Sequence, residues 1–229
     1  MRHALYFITV KQEGGHAGKN IGRQENCPSS GDRIHSRGSE LLSFIFSALG
    51  AQVDDLTYLW GESQRTLVSD VVQPGQMPET MVVTKDIADA KVEEYDIVLC
   101  AANYVACRLR EIPPMGSLGS VDQLTTPPAV QFMIQAMDDS QIVKGALCHA
   151  LWILTPAPRC LKGRKVICHT VVLADVVNAG GCYVPADSHI VVDRDLVTGR
   201  SAADLKPYCQ AILETWQSIH HSVKEECFA

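Results

Sequence analysis

The hexapeptide Gly145-Ala146-Leu147-Cys148-His149-Ala150 limits what this chain can fold into more than any other stretch. Residues 141–147 before the cysteine form a short apolar run. Residues 149–154 after it are good helix formers, and Pro156 and Pro158 are expected to stop that helix. A strand that passes directly into a helix turns so tightly that the positions two before and two after the turning residue need small side chains, which is the physical content of the G-x-S-x-G elbow. Ala146 and Ala150 meet that demand around Cys148. A thiol at such a turn lies at a helix N-terminus, where unpaired N–H groups and the helix dipole favour thiolate over thiol. Cys148 is therefore the leading candidate nucleophile. The local alternative is a buried cysteine packing as a small apolar residue.

The rest of the chain supplies the frame for such an elbow. Strand-like runs recur at 4–10, 51–56, 96–101, 143–147, 165–169 and 189–192, with helix-like stretches between several of them. Residues 39–50 show apolar positions at helical spacing, with Ser39 placed as N-cap and Gly50 as the stop, and 202–217 read the same way behind Ser201. A helix is also expected at 129–137. Apolar strands alternating with amphipathic helices predict an α/β fold: a three-layer α/β/α sandwich around a mostly parallel, doubly wound, flavodoxin-like sheet. In such sheets the ligand crevice lies beyond the carboxyl ends of the strands, where Cys148 would open. The 229 residues suit a single domain. Residues 11–38 read as a polar insertion or lid, 111–128 as an irregular Pro/Gly-rich excursion, and 218–229 as a polar C-terminal tail.

Composition narrows the partners. With a net charge of −6 and no Lys/Arg cluster interleaved with aromatics, a nucleic acid is not expected as partner. No apolar run approaches the roughly 20 residues of a membrane span, and the start of the chain does not read as a signal peptide, so a cytoplasmic protein without membrane contact is expected. The nine cysteines are scattered and odd in number, which fits reduced thiols. With no C-x-x-C or H-E-x-x-H, no metal and no cofactor are expected.

The C-terminal half resembles the ThiJ/PfpI family, small cysteine enzymes that include the parkinsonism-associated deglycase and belong to the class I glutamine amidotransferase-like superfamily. Ala146-Leu147-Cys148-His149 looks like the family's A-x-C-H elbow. It is followed in family order by Leu161-Lys162-Gly163-Arg164-Lys165-Val166, by Asp175 through Gly181, and by Val191 through Arg200, all within residues 142–216. In the N-terminal half, Glu40 resembles the position from which the family aims a carboxyl group at the nucleophilic sulfur. Read alone, Glu40 is a first-turn acid complementing its own helix dipole. Next to a thiolate it would be partly protonated and able to shuttle a proton. The resemblance further implies that His149 pairs with or orients Cys148 and that a homodimer or higher oligomer forms. The residue after an elbow nucleophile also donates its backbone N–H to an oxyanion hole. The sequence departs from the family at Leu99-Cys100-Ala101-Ala102-Asn103-Tyr104, where Pro-Gly-Gly is usual. Ala102 then supplies the second backbone donor, or Asn103 a side-chain donor.

These readings predict a cysteine-nucleophile enzyme acting on a small-molecule substrate with an electrophilic carbon: a carbonyl, amide, nitrile or isonitrile. Its chemistry would be that of a hydrolase, a hydratase or a glyoxalase-like lyase. The alternative is a non-catalytic redox sensor or chaperone that works through oxidation of Cys148.

Overall fold

The apolar runs Ile97–Cys100 and Val143–Leu147 form adjacent parallel strands buried along their whole length, as a sheet covered on both faces requires. The computed structural model describes residues 7–11, 46–47, 50–68, 75, 77, 80–101 and 105–226. In chain order its strands are β1 (Phe7–Lys11), β2 (Gln52–Thr57), β3 (Arg65–Val68), β4 (Thr80–Val83), β5 (Lys85–Asp86), β6 (Ile97–Cys100), β7 (Val143–Leu147), β8 (Lys165–Val166), β9 (Cys182–Tyr183), β10 (Ile190–Asp193) and β11 (Leu196–Gly199). The helices are α1 (Val105–Leu109), α2 (Pro128–Asp138), α3 (Pro158–Leu161), α4 (Thr170–Asn178) and α5 (Leu205–Glu226). Seven strands form the main sheet in the order β10-β11-β7-β6-β1-β2-β5, while β3-β4 and β8-β9 make two small separate sheets.

The layers follow from the alternation of side chains along each strand. Gly145 and Gly199 face α5, and the absence of a side chain is what lets that helix approach. A Cβ on Gly145 would collide with the Tyr208 hydroxyl and Leu99, and would lie 2.7 Å from Ile212 Cδ1. The opposite face carries Lys144, Ala146 and Thr198. There Thr198 Oγ1 accepts the N–H of Ile167 at 3.0 Å, which ties the segment leading into α4 to the sheet. The buried apolar residues of both faces, among them Leu99, Phe132, Val143, Ile153, Val176 and Ile212, belong to one contiguous core.

Several details correct the sequence reading. The sheet is mostly parallel, with β2, β5, β6, β7 and β11 running the same way, but β1 runs antiparallel to both β2 and β6, and β10 antiparallel to β11. Strand direction depends on the long connection after β1 and not on the strand's own residues, so the apolar run could not specify it. The expected strand at 165–169 shortens to Lys165–Val166 and pairs with β9 outside the main sheet. Of the segment 218–229 read as a polar tail, residues 218–226 are the last turns of α5. A formed helix extends at little cost, and Trp216 and Ile219 still pack on the core. Ser201 precedes a 3-10 turn at Ala202–Asp204 instead of capping the helix, its hydroxyl donating to the Asp204 carboxylate at 2.7 Å. Residues 111–127 are irregular apart from a 3-10 turn at Val121–Gln123, and Pro128 opens α2. The expected insertion beyond Lys11 lies outside the described residues.

At the end of the sheet opposite Cys148, charge is buried in a paired network. Lys144, fully buried in the middle of an apolar strand, donates to Asp139 O at 2.7 Å, to Ile142 O at 2.8 Å and to the Asp195 carboxylate. Arg164 donates to the other Asp195 oxygen at 2.6 Å and pairs with Asp193 at 3.0 Å. Burial works to raise the Asp195 carboxyl, but the bonds from Lys144 and Arg164 outweigh it and hold it below its ordinary value.

Candidate active site

Cys148 leaves the end of β7 with φ +63°, a left-handed conformation that costs a residue with a Cβ about 1–3 kcal/mol and persists only where its surroundings hold it. Two backbone hydrogen bonds do so. The Cys148 N–H donates to Gly199 O at 2.8 Å, and the Cys148 carbonyl accepts from the His169 N–H at 3.0 Å. Ala146 and Ala150, the small residues that the elbow needs, are both fully buried. The helix after the elbow differs from expectation. It is a five-residue 3-10 helix, Ala150–Leu154, and Pro158, expected to stop a helix, instead opens α3 at its N-terminus. So short a turn has few aligned peptides to sum into a dipole, and a side chain also lies within hydrogen-bond reach of the sulfur.

That side chain is His149. Its Nδ1 lies 3.0 Å from Cys148 Sγ, within reach for the thiol to donate to the ring or, after proton transfer, for Nδ1–H to donate to the thiolate. Both residues are nearly buried, at 8% exposure for Cys148 and 7% for His149. The His149 ring stacks on His169 with centroids 4.6 Å apart and an interplanar angle of 22°. Burial, and secondarily the neighbouring His169, lowers the His149 pKa from its usual value, so the ring is neutral at pH 7 and able to accept a proton.

His169 is a residue that the sequence reading did not single out. It caps α4, its Nδ1 accepting from Val171 N at 3.2 Å. The run 165–169 ends at His169, and a polar residue at the carboxyl end of an apolar run in an α/β fold is the signal that points to it. The Trp152 indole N–H donates to Asp175 at 2.6 Å, joining the 3-10 helix behind His149 to the helix behind His169. Gly180, with φ +92°, ends α4 in the left-handed conformation, its N–H donating to Val177 O at 2.9 Å. This explains Gly180; at Gly181 a Cβ would lie 2.9 Å from Val176 Cγ1 and 3.0 Å from Val176 O.

Of the site residues expected from sequence, the structure brings together Cys148 and His149. Glu40, Ala102 and Asn103 lie outside the described residues. β6 pairs Cys100 with Ala146, so Ala101 reaches the sheet edge one strand away from the elbow. Burial pushes the Cys100 thiol well up, whereas Cys107 is exposed. Among the described residues no group of three or more His, Cys, Asp or Glu could hold a metal ion, and no helix is long and apolar enough to cross a membrane.

Comparison with known proteins bears on the family and the fold. The family model of the DJ-1/PfpI family matches residues 114–215. An uncharacterized protein of Staphylococcus aureus is 30% identical over 152 residues, covering 66% of this chain and 78% of its own. Another, of Staphylococcus haemolyticus, is 29% identical over 144 residues, covering 63% and 74%. Among solved structures, a ThiJ/PfpI domain protein from Brachyspira murdochii shares the fold with a TM-score of 0.60 at 14% identity, over 80% of this chain and 89% of that one. A two-domain protein from Anabaena variabilis, with DJ-1/ThiJ/PfpI-like and ferritin-like domains, superposes with a TM-score of 0.50 at 24% identity over 59% of this chain, which spans only 34% of that larger protein. On the family-model match and the staphylococcal relatives, with a left-handed cysteine elbow in an α/β sandwich, this chain belongs to the DJ-1/PfpI family.

Proposed function

We propose that this protein is a cysteine-nucleophile enzyme acting on a small electrophilic carbon by hydrolysis, hydration or glyoxalase-like chemistry. The family's members include cysteine-dependent hydrolases and deglycases as well as redox sensors. The observation that carries the reading is Cys148 Sγ, at a left-handed elbow, 3.0 Å from the Nδ1 of a buried histidine. In this scheme Nδ1 of His149 takes the thiol proton as Sγ bonds to the substrate carbon. The displaced electron pair moves onto the substrate heteroatom, and His149 returns the proton to that atom or to the leaving group. Water then bonds through its oxygen to the same carbon and gives up a proton to His149, the C–S bond breaks with its electron pair going to sulfur, and the proton returns to the thiolate. The His149 backbone N–H and a donor from Ala102 or Asn103 hold the developing charge, and Glu40 moves protons. Support for a donor from that segment is the pairing of Cys100 with Ala146, which delivers the chain after β6 to the edge beside the elbow. The test is a turnover screen across carbonyls, amides, nitriles and isonitriles with wild type beside Cys148→Ser. Loss of the nucleophile should lower kcat/KM by at least about a hundredfold. Full turnover by the variant of every substrate that the wild type accepts would overturn the assignment.

A further inference from the structure

We infer that Cys168 is a resolving thiol that joins Cys148 in a reversible disulfide when a hydroperoxide oxidises Cys148. The inference rests on Cys148 being the reactive thiol proposed above and adds a second, unassigned cysteine to that site. The two residues are tied by backbone: the Cys148 carbonyl accepts from the N–H of His169, the residue next to Cys168, at 3.0 Å. That bond, with standard peptide dimensions on either side, caps the separation of the two α-carbons at about 8 Å. A disulfide requires roughly 4.4–6.8 Å, so at most a small adjustment of the turn is needed.

The electrostatics point to the same pair. Burial, with a further contribution from Cys148, pushes the Cys168 thiol up to about 11. Cys160 is raised mainly by burial and Cys100 by burial alone, neither with a contribution from Cys148. Cys168 is also completely buried whereas Cys148 retains some exposure, so an oxidant from solvent meets Cys148 first. The order of events is then built in. While Cys148 carries negative charge, Cys168 keeps its proton; once Cys148 becomes a neutral sulfenic acid, that repulsion is gone and Cys168 ionises more readily.

The chemistry balances with the hydroperoxide as the named oxidant. The Cys148 sulfur attacks the peroxide, the O–O bond breaks, Cys148 becomes S–OH, and an alcohol or water departs. The Cys168 sulfur then attacks Cys148 Sγ, the S–O bond breaks, and the hydroxide leaves as water with the proton that Cys168 gave up. Two thiols have lost two electrons and the peroxide has gained them.

The test treats wild type, Cys168→Ser and Cys168→Ala with one equivalent of hydrogen peroxide, with and without dimedone, followed by intact-mass and peptide mass spectrometry. Wild type should lose two hydrogen masses, show a 148–168 cross-link and recover both thiols with dithiothreitol. Both variants should instead trap dimedone on Cys148 or carry it on to sulfinic acid. If the variants trap dimedone on Cys148 but wild type forms no 148–168 bond, or pairs Cys148 with another cysteine, the inference is overturned while the reactive-thiol reading stands. If Cys148 in the variants neither takes up dimedone nor reaches sulfinic acid, and wild type forms no cross-link, both are overturned; sulfinic acid on Cys148 in the variants without the wild-type cross-link overturns the inference alone.

Discussion

Replacing Asp195 by Asn should destabilise the fold far more than its single neutralised charge suggests. Lys144 has no exposure and keeps its ammonium buried through Asp195 and the carbonyls of Asp139 and Ile142. Arg164, on the other oxygen of the same carboxylate, retains Asp193. The amide therefore leaves Lys144 a buried cation with only the weaker pull of the Asp139 charge, beside a second cation. Breaking one partner of such a buried pair costs about 3–5 kcal/mol, which for a chain of this size lowers the melting temperature by roughly 6–20 °C. The sign of the pH dependence is also set. Burial lowers the Lys144 pKa and Asp195 opposes that, so in the variant the native state sheds the lysine proton at lower pH than the unfolded chain does. Between that lowered value and the ordinary 10.5 of lysine the unfolded state binds more protons, and the variant's stability rises with pH. The assay is urea denaturation followed by circular dichroism from pH 7 to 10, on Asp195→Asn and on Asp195→Asn with Lys144→Met. A loss below about 1 kcal/mol at pH 7 would refute the reasoning, as would a double variant no more stable than the single one.

Gly145→Ala places a Cβ against Tyr208, Leu99 and Ile212, and overpacking of this kind costs about 1–3 kcal/mol; an unchanged urea midpoint would contradict the described approach of α5. His149, its pKa lowered by burial and then by His169, contributes stability that is present above its ordinary value of 6.5 and is lost as pH falls through the lowered folded value. Wild type should therefore lose more stability than His149→Gln between pH 7 and pH 5 in the same denaturation assay. Turnover assigned to Cys148 should persist at pH 6.5 and fall only as His149 protonates below it; a profile breaking above pH 6.5 would count against His149 as the acceptor.

How much of this was legible in the sequence depends on how local each feature is. The elbow was visible because its requirement is local: Ala146 and Ala150 sit where small side chains are needed, and β7 spans Val143–Leu147 as its apolar run indicates. The helix expected at 129–137 lies within Pro128–Asp138 for the same reason. Long-range features were not legible. The antiparallel setting of β1 is decided by a distant connection, and the β3-β4 pair has strands of four residues each, too short for a periodic signal. The Lys144–Asp195 pairing joins residues 51 apart in sequence, and in sequence Lys144 looks like a solvent-facing interruption of a strand. At the site, Cys148 and His149 were found together because they are adjacent in the chain, whereas His169 was missed because only the fold stacks it on His149. Cys168 was invisible for the same reason, one among nine cysteines until the turn at 148 met the turn at 168.

The central claim, that Cys148 is an activated nucleophile and not a buried packing residue, is tested most directly by site-resolved iodoacetamide labelling at pH 7. Cys107 and Cys182 are exposed and provide the rate of an ordinary accessible thiol, while Cys160 and Cys168 are buried and provide the rate of a protected one. Cys148, at 8% exposure, should label at least as fast as Cys107 and Cys182, and His149→Ala should slow it severalfold without affecting those two. Labelling of Cys148 at the rate of Cys160 and Cys168, unchanged by removal of His149, would contradict the account.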